Sequence, residues 1–445
     1  MLLRKGVYKE FAKRIIMNIK NLKIFNRFNI SITLISVCII ILMMFLSRHC
    51  CFWGDDSYYA VYSKFHEGIF DCLFGKTRLE HGGYYIGLFL CKFFSFGLPA
   101  LISIHPADFN CIGHGIIKGI FTVICLLILS KFAIINTKSQ QIRFFIFLFL
   151  SCYFFSNAIN SNVIIINYNF YRYFFSLIFY GLFWIYIYKG FIKGFISKPI
   201  DFKLYFYGFI IGTSSEIIFF SSALLITMIF IYNSCSKIKP DKPFLSAFAG
   251  LFSGIFLFTS SPGFLSVSSD RGLSDIKITL NELNEFIQLY FQVCFKDEYI
   301  YWIIFITTAA ISVYFAIKNK EIKKIVFPFL MQISILTVLF SLVLCGKTYD
   351  EFTRDRFFLC HWNIVFLYKM LILYPLFIFL DYTIKNLLKI TMKNYRKYLR
   401  FAMIFFIFLA ALTYFCKFID FLPHCNSNTF IVNKKRRGLH RRTTS

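Results

Sequence analysis

Two adjacent carboxylates, Asp55 and Asp56, are the residues best suited to chemistry in this chain of 445 residues. They sit in the stretch Phe52-Trp-Gly-Asp-Asp-Ser-Tyr-Tyr-Ala. One member of such a pair can hold a divalent cation or a hydroxyl group while the other accepts a proton. Like charges side by side also raise the pKa of one partner, which suits a base. The plain alternative is a hydrated loop that happens to contain Asp-Asp. Tyr58 and Tyr59 can stack on the ring of a ligand or belong to an interfacial aromatic belt.

Other chemistry-bearing groups lie far away in sequence. Glu216 closes the segment Gly208-Phe-Ile-Ile-Gly-Thr-Ser-Ser-Glu216 between two apolar runs. A carboxylate there is costly unless it has a task or a partner, and Ser214 and Ser215 are the nearest partners. Arg271, Arg354 and Arg356 are the candidate anion holders, because a guanidinium fork matches phosphate oxygens in pairs. Arg354 and Arg356 can instead exchange ion pairs with Asp350, Glu351 and Asp355, contacts worth little at a surface. His81 and His361 are alternative proton carriers, and a lone His also serves as a structural residue.

Apolar runs must position all of these groups. The chain is 58% hydrophobic and 21% aromatic, against about 45–50% apolar residues in soluble domains. Ile30–Leu46, Ile116–Ile135 and Phe401–Phe415 run almost without charge. A bilayer core about 30 Å thick takes about 20 helical residues, and a barrel would show alternation instead of unbroken runs. The expected fold is all-α, a polytopic transmembrane helical bundle of about 11–12 spans. Its apolar runs include Tyr84–Ile104, Ile142–Ser156, Phe202–Ser214, Ile325–Cys345 and Asn363–Leu380. Tyr84–Ile104, with Lys92 and a Gly-Leu-Pro inside it, reads as re-entrant or interfacial. Only Lys92, Lys118 and Lys131 are read as interrupting apolar runs. Phe202–Ser214 is short for a span, so Glu216 is expected below the membrane surface.

The formal charge of +27 comes from 49 Lys and Arg against 22 acidic residues. These cations cluster in short loops between apolar runs, the pattern of the positive-inside rule, and this argues against a nucleic-acid partner. Residues 1–28 read as a basic cytoplasmic segment leading into an uncleaved anchor, since no small-residue cleavage site follows Leu46. Residues 29–417 form the membrane domain, with outer loops at about 47–83, 261–298 and 346–358. Residues 418–445 form a basic tail expected to be disordered. Most of the 14 cysteines lie inside apolar runs; a disulfide among Cys50, Cys51 and Cys72 is open. Chemistry is therefore expected where outer loops roof the membrane surface.

An acidic pair directly after the first span, followed by aromatics, resembles the GT-C glycosyltransferases, and more narrowly the type II O-antigen glucosyltransferases and related polytopic families. Asp55-Asp56-Ser57-Tyr58-Tyr59 is the match to an Asp-Asp-x-Tyr-Tyr-like stretch. His81-Gly82-Gly83-Tyr84-Tyr85 stands where an Asn-Gly-Arg-like element is expected, without the Arg. Gly208 to Glu216 is similar to a Gly-x-x-x-Gly-x-Ser-x-Glu segment. Ser261-Pro262-Gly263 with Arg271 resembles a Pro-Gly-Asn…Arg element, with Phe264 in place of Asn.

The resemblance implies a GT-C-like enzyme that moves a sugar from a polyprenyl-phosphate carrier to a glycan or glycolipid on the outer face of a membrane, expected to be a bacterial inner membrane. Asp55 or Asp56 would be the base, or the ligand of a divalent cation if one is used. Glu216, Arg271, Arg354, Arg356, Tyr58, Tyr59 and His81 would bind substrate. Partners would be a lipid-linked sugar donor, the acceptor and the membrane itself. Two other classes stay open: a lipid or glycan flippase or other transporter, whose ionisable residues should sit within spans, and a membrane assembly protein without catalysis.

Overall fold

The computed structural model describes residues 27–47, 106–158, 170–194, 201–238, 241–260, 290–296, 298–345, 365–391 and 397–416, with a few isolated positions between them. The described residues contain no strand. Their helices are α1 (Arg27–Ser47), α2 (Pro106–Phe132), α3 (Gln140–Ala158), α4 (Phe175–Lys193), α5 (Phe202–Gly212), α6 (Glu216–Cys235), α7 (Lys242–Thr259), α8 (Tyr299–Lys318), α9 (Lys323–Cys345), α10 (Val365–Ile390) and α11 (Lys397–Cys416). Two π-helical turns, Phe170–Phe174 and Gln292–Lys296, precede α4 and α8.

Among the described residues, nine helices are long and apolar enough to cross a membrane. The two that fall short are α3, diluted by Gln140, Gln141 and Arg143, and α5, which has 11 residues and spans about 16 Å. Large apolar side chains face outward on the rim, such as Leu34 and Ile41 on α1, Ile303 and Ile306 on α8, and Phe401 and Phe406 on α11. Such a surface is tolerable only where the solvent is lipid. Hydroxyls on these lipid-facing helices bond back to their own backbone, as Thr33 does to the Asn29 carbonyl and Thr413 to that of Leu409. The chain is a multi-pass membrane protein with an all-α bundle fold.

The helices alternate in direction. On α2, Gly115 lies against Met44 of α1, and Gly119 lies against Ile40, so the two helices run antiparallel. Their ends that flank residues 48–105 are therefore at the same end of the bundle. The segment Tyr84–Ile104, expected to be re-entrant or interfacial, lies largely outside the described residues. Phe28 of α1 meets Phe144 near the start of α3, and Tyr414 near the end of α11 meets Tyr153 near the end of α3. Phe191 of α4 touches Tyr232 of α6 and Phe327 of α9. The bundle thus has one end that collects the lysine-rich turns, here the basic end, and an opposite far end.

Glycines set the closest approach in the bundle. The Gly208…Gly212 face of α5 packs in parallel against Gly250 and Gly254 of α7. A Cβ on Gly250 would come within 2.1 Å of the Tyr205 carbonyl oxygen, and one on Gly212 within 2.4 Å of that of Leu251. Small residues at four-residue spacing permit such backbone contact. The expected small-residue face is therefore present, and Gly250-Leu-Phe-Ser-Gly254 is its unforeseen partner.

The axis of the bundle is α10, which is 89% buried, against 22% for α1 and 11% for α11. Its polar side chains clamp the helices around it. Asp381 accepts hydrogen bonds from the backbone N–H groups of Asn136 and Thr137, which closes the turn after α2. Thr383 pairs with Ser312 at 2.9 Å, and Tyr382 donates to Glu321 at 2.8 Å. Burial alone would raise the Glu321 carboxyl, but hydrogen bonds from Lys324 and Tyr382 outweigh it and hold its pKa below the ordinary value. Pro375 lacks the N–H that would continue the ladder, and the Leu376 N–H reaches the Ile372 carbonyl only at 3.5 Å. The Tyr301 hydroxyl lies 3.2 Å from that same carbonyl and shares its one proton between it and the Gln332 side-chain oxygen.

Replacing Gly250 with Ala should push α5 and α7 apart and destabilise the bundle by about 1–3 kcal/mol. Thermal unfolding in detergent should show a lowered Tm for Gly250→Ala and an unchanged one for Ala249→Leu, whose parent residue is exposed. A Gly250→Ala protein that melts like wild type would contradict the close approach.

Candidate functional site

Polar groups buried near the far end form the strongest candidate site among the described residues. Glu298 precedes α8, and Lys369 projects from the first part of α10. Their carboxylate and ammonium groups meet at 2.8 Å, with the side chains 9% and 21% exposed. Lys369 also donates to the Asn157 side-chain oxygen at 3.3 Å, and the Tyr153 hydroxyl donates to the Lys369 carbonyl at 3.5 Å. Both partners come from the last turns of α3.

Aromatic rings and hydroxyls surround the ion pair. Tyr301 donates to Gln332 of α9 at 2.7 Å, while Tyr368 and the Trp302 indole both donate to the Cys294 carbonyl. That carbonyl belongs to the π-helical turn Gln292–Lys296, where the ladder of i to i+4 bonds is broken and a carbonyl is free for side chains. Local sequence explains the placement. The apolar run of α8 begins at Tyr299 and leaves Glu298 just outside it.

A second buried set lies on α2. His114 and Lys118 are one helical turn apart and are 1% and 0% exposed. The His114 Nδ1 and the Tyr171 hydroxyl are 2.9 Å apart, and the Lys118 ammonium lies 5.8 Å from the centre of the Phe170 ring. This is the range of a cation–π contact. Phe170 touches Phe174, which in turn touches Phe154 and Phe366. A run of rings thus extends from the Lys118 ammonium to α3 and α10.

These groups can do limited, defined chemistry. The Glu298 carboxylate can accept a proton or a hydroxyl, and Lys369 beside it can stabilise a negative charge. Among the described residues no three His, Cys, Asp or Glu side chains converge as a metal site would require.

Most of the residues expected to do chemistry lie outside the described residues. These are Asp55, Asp56, Tyr58, Tyr59, His81, Arg271, Arg354 and Arg356, together with His361 and the cysteines Cys50, Cys51 and Cys72. The backbone of Glu216 is described. It is the first residue of α6, at the far-end break between α5 and α6. Of its two suggested partners, Ser214 donates instead to the Ile211 carbonyl at 2.6 Å, and Ser215 makes no cap hydrogen bond.

Sequence reading passed over Glu298, Lys369 and Asp381. The expectation that only Lys92, Lys118 and Lys131 interrupt apolar runs is corrected by Lys369, which stands within one and is held by an ion pair. The available signal was a single Lys in the middle of the Asn363–Leu380 run, since an isolated charge in a span requires a partner. No family model matches the chain, and neither a curated protein nor a solved structure matches it.

Removing one partner of the ion pair should leave the other buried and uncompensated. Lys369→Met should cost about 3 kcal/mol, and adding Glu298→Gln should recover most of that loss. Thermal unfolding of the two single variants and the double variant tests the coupling. Additive effects in the double variant would mean that the pair is not an energetic unit.

Proposed function

We propose that this chain is a membrane glycosyltransferase that takes a sugar from a polyprenyl-phosphate carrier and transfers it to a cell-surface glycan or glycolipid. The positive-inside rule makes the basic end cytoplasmic and the far end the outer face. The reading rests chiefly on one observation: the described helices flanking the chemistry-bearing segments terminate together at the far end. Asp55 and Asp56 follow Ser47 of α1 within eight to nine residues, a reach of at most about 30 Å. Arg354 and Arg356 precede Val365 of α10 by nine to eleven residues. Glu216 opens α6 at the same end, where Glu298 also precedes α8.

The reaction would proceed by direct displacement. An acceptor hydroxyl forms a bond to the anomeric carbon while the bond from that carbon to the carrier phosphate breaks. Asp55 or Asp56 takes the hydroxyl proton. The electron pair of the broken bond leaves on the phosphate oxygen, where Arg354, Arg356 or Arg271 stabilises it. Such electrostatic help is commonly the largest contribution to catalysis. The tyrosines Tyr58 and Tyr59 would stack on the sugar, and His81 and Glu216 would orient its hydroxyls.

A flippase or other transporter is the second reading, favoured by a specific observation. Lys118, Lys369 and Asp381 are charged groups inside spans, and intramembrane charges commonly line translocation paths. Hydrogen bonds to the turn after α2 account for Asp381, and the ion pair with Glu298 holds Lys369.

The two readings differ in what a variant accumulates. Asp55→Asn and Asp56→Asn should each abolish sugar transfer in a membrane assay while the protein still inserts. Surface-glycan analysis of a deletion strain complemented with these variants should show the same loss. Normal transfer by both variants would refute the transferase, and lipid-linked glycan trapped in the inner leaflet would identify the transporter.

A further inference from the structure

The basic end holds a cleft of about 1270 Å³. Of its 19 lining residues nine are Lys or Arg and one, Glu321, is acidic. That carboxylate is already engaged by Lys324 and Tyr382. The cations come from the ends of α2 and α4, the start of α3, the turn from α8 to α9 and the lower part of α10.

Membrane topology alone does not require this arrangement. The positive-inside rule asks for cations near the membrane surface, not for their convergence. Lys203, Lys237 and Lys242 stand at the same end without lining the cleft. Crowding nine cations around one cavity raises their mutual repulsion unless an anion is present to offset it.

We propose that this cleft binds the phosphate-bearing headgroup of a lipid from the leaflet at the basic end. The lysines neutralise the phosphate. Lipid is favoured over a soluble anion by the apolar members of the wall. Ile317 and Ile322 are 65% and 53% exposed and offer a surface to acyl chains. The proposal does not depend on the transferase reading, which concerns the opposite end of the bundle.

The test uses the full-length protein in phosphatidylcholine nanodiscs, with phosphatidic acid as the lipid probe, inorganic diphosphate as the soluble probe and native mass spectrometry as the readout. Wild type should retain phosphatidic acid in preference to phosphatidylcholine. The triple variant Lys189→Gln, Lys193→Gln and Lys320→Gln should lose at least about tenfold in affinity. The matched triple Lys203→Gln, Lys237→Gln and Lys242→Gln removes the same charge away from the cleft and should bind as wild type does. The double variant Lys138→Gln and Lys323→Gln, at two other places on the cleft wall, should weaken binding by about threefold or more and decides the matter if the cleft triple fails to insert. Equal losses in the two triples, unchanged binding by the double variant, or diphosphate binding without lipid retention would each overturn the proposal.

Discussion

Hydrocarbon offers no hydrogen bonds, and this constraint governs the whole molecule. Every backbone and side-chain polar group within the bilayer must find its partner inside the protein. Helices settle the backbone. Ser and Thr side chains settle themselves by bonding back one turn, as at Thr33, Ser151 and Thr307. The remaining polar groups gather on the buried axis α10, where Asp381, Thr383, Asn386 and Tyr374 each bond to a different neighbouring segment or helix. The helix with most polar partners is thus the one most completely removed from lipid. Dispersion supplies the rest, through ring contacts such as Phe132 with Tyr374 and Phe329 with Phe379.

The same constraint divides the bundle into two unlike ends. At the basic end, cations outnumber acids and surround an open cleft. Near the far end, charge is instead paired and buried, as Glu298 with Lys369, or shielded by rings, as Lys118 beside Phe170. A buried pair of this kind adds little net stability relative to an apolar substitute. Its persistence fits a role in binding or conformational specificity at that end. The π-helical turns at Phe170–Phe174 and Gln292–Lys296 lie beside these groups, where irregular backbone re-aims side chains and frees carbonyls.

Much of the architecture was legible in the sequence because span length and apolar run length are tied by the rise of the helix. The runs Ile142–Ser156, Phe202–Ser214 and Ile325–Cys345 each became a helix, and Phe202–Ser214 was correctly short. The Gly208…Gly212 face could be recognised from spacing alone. Its partner could not, since spacing within one helix does not say which other helix it meets. Glu298 and Lys369 are 71 residues apart in the chain, and only the packing of α8 against α10 joins them. The basic loops were readable as a topology signal, but their convergence on one cleft depends on how five segments assemble. The carboxylate pair and the arginines rest on sequence alone, because they fall outside the described residues.

The account depends most on the polarity of the bundle, with the lysine-rich end in the cytoplasm and the Glu298–Lys369 end outside. Cysteine labelling with a membrane-impermeant maleimide tests this directly, with single cysteines introduced at the exposed positions Gln140, Ser236 and Ser260 in a background free of native cysteines. In intact cells the Ser260→Cys protein should be labelled, and the Gln140→Cys and Ser236→Cys proteins only after permeabilisation. Labelling of Gln140→Cys or Ser236→Cys from outside, with Ser260→Cys protected, would reverse the bundle and contradict the account.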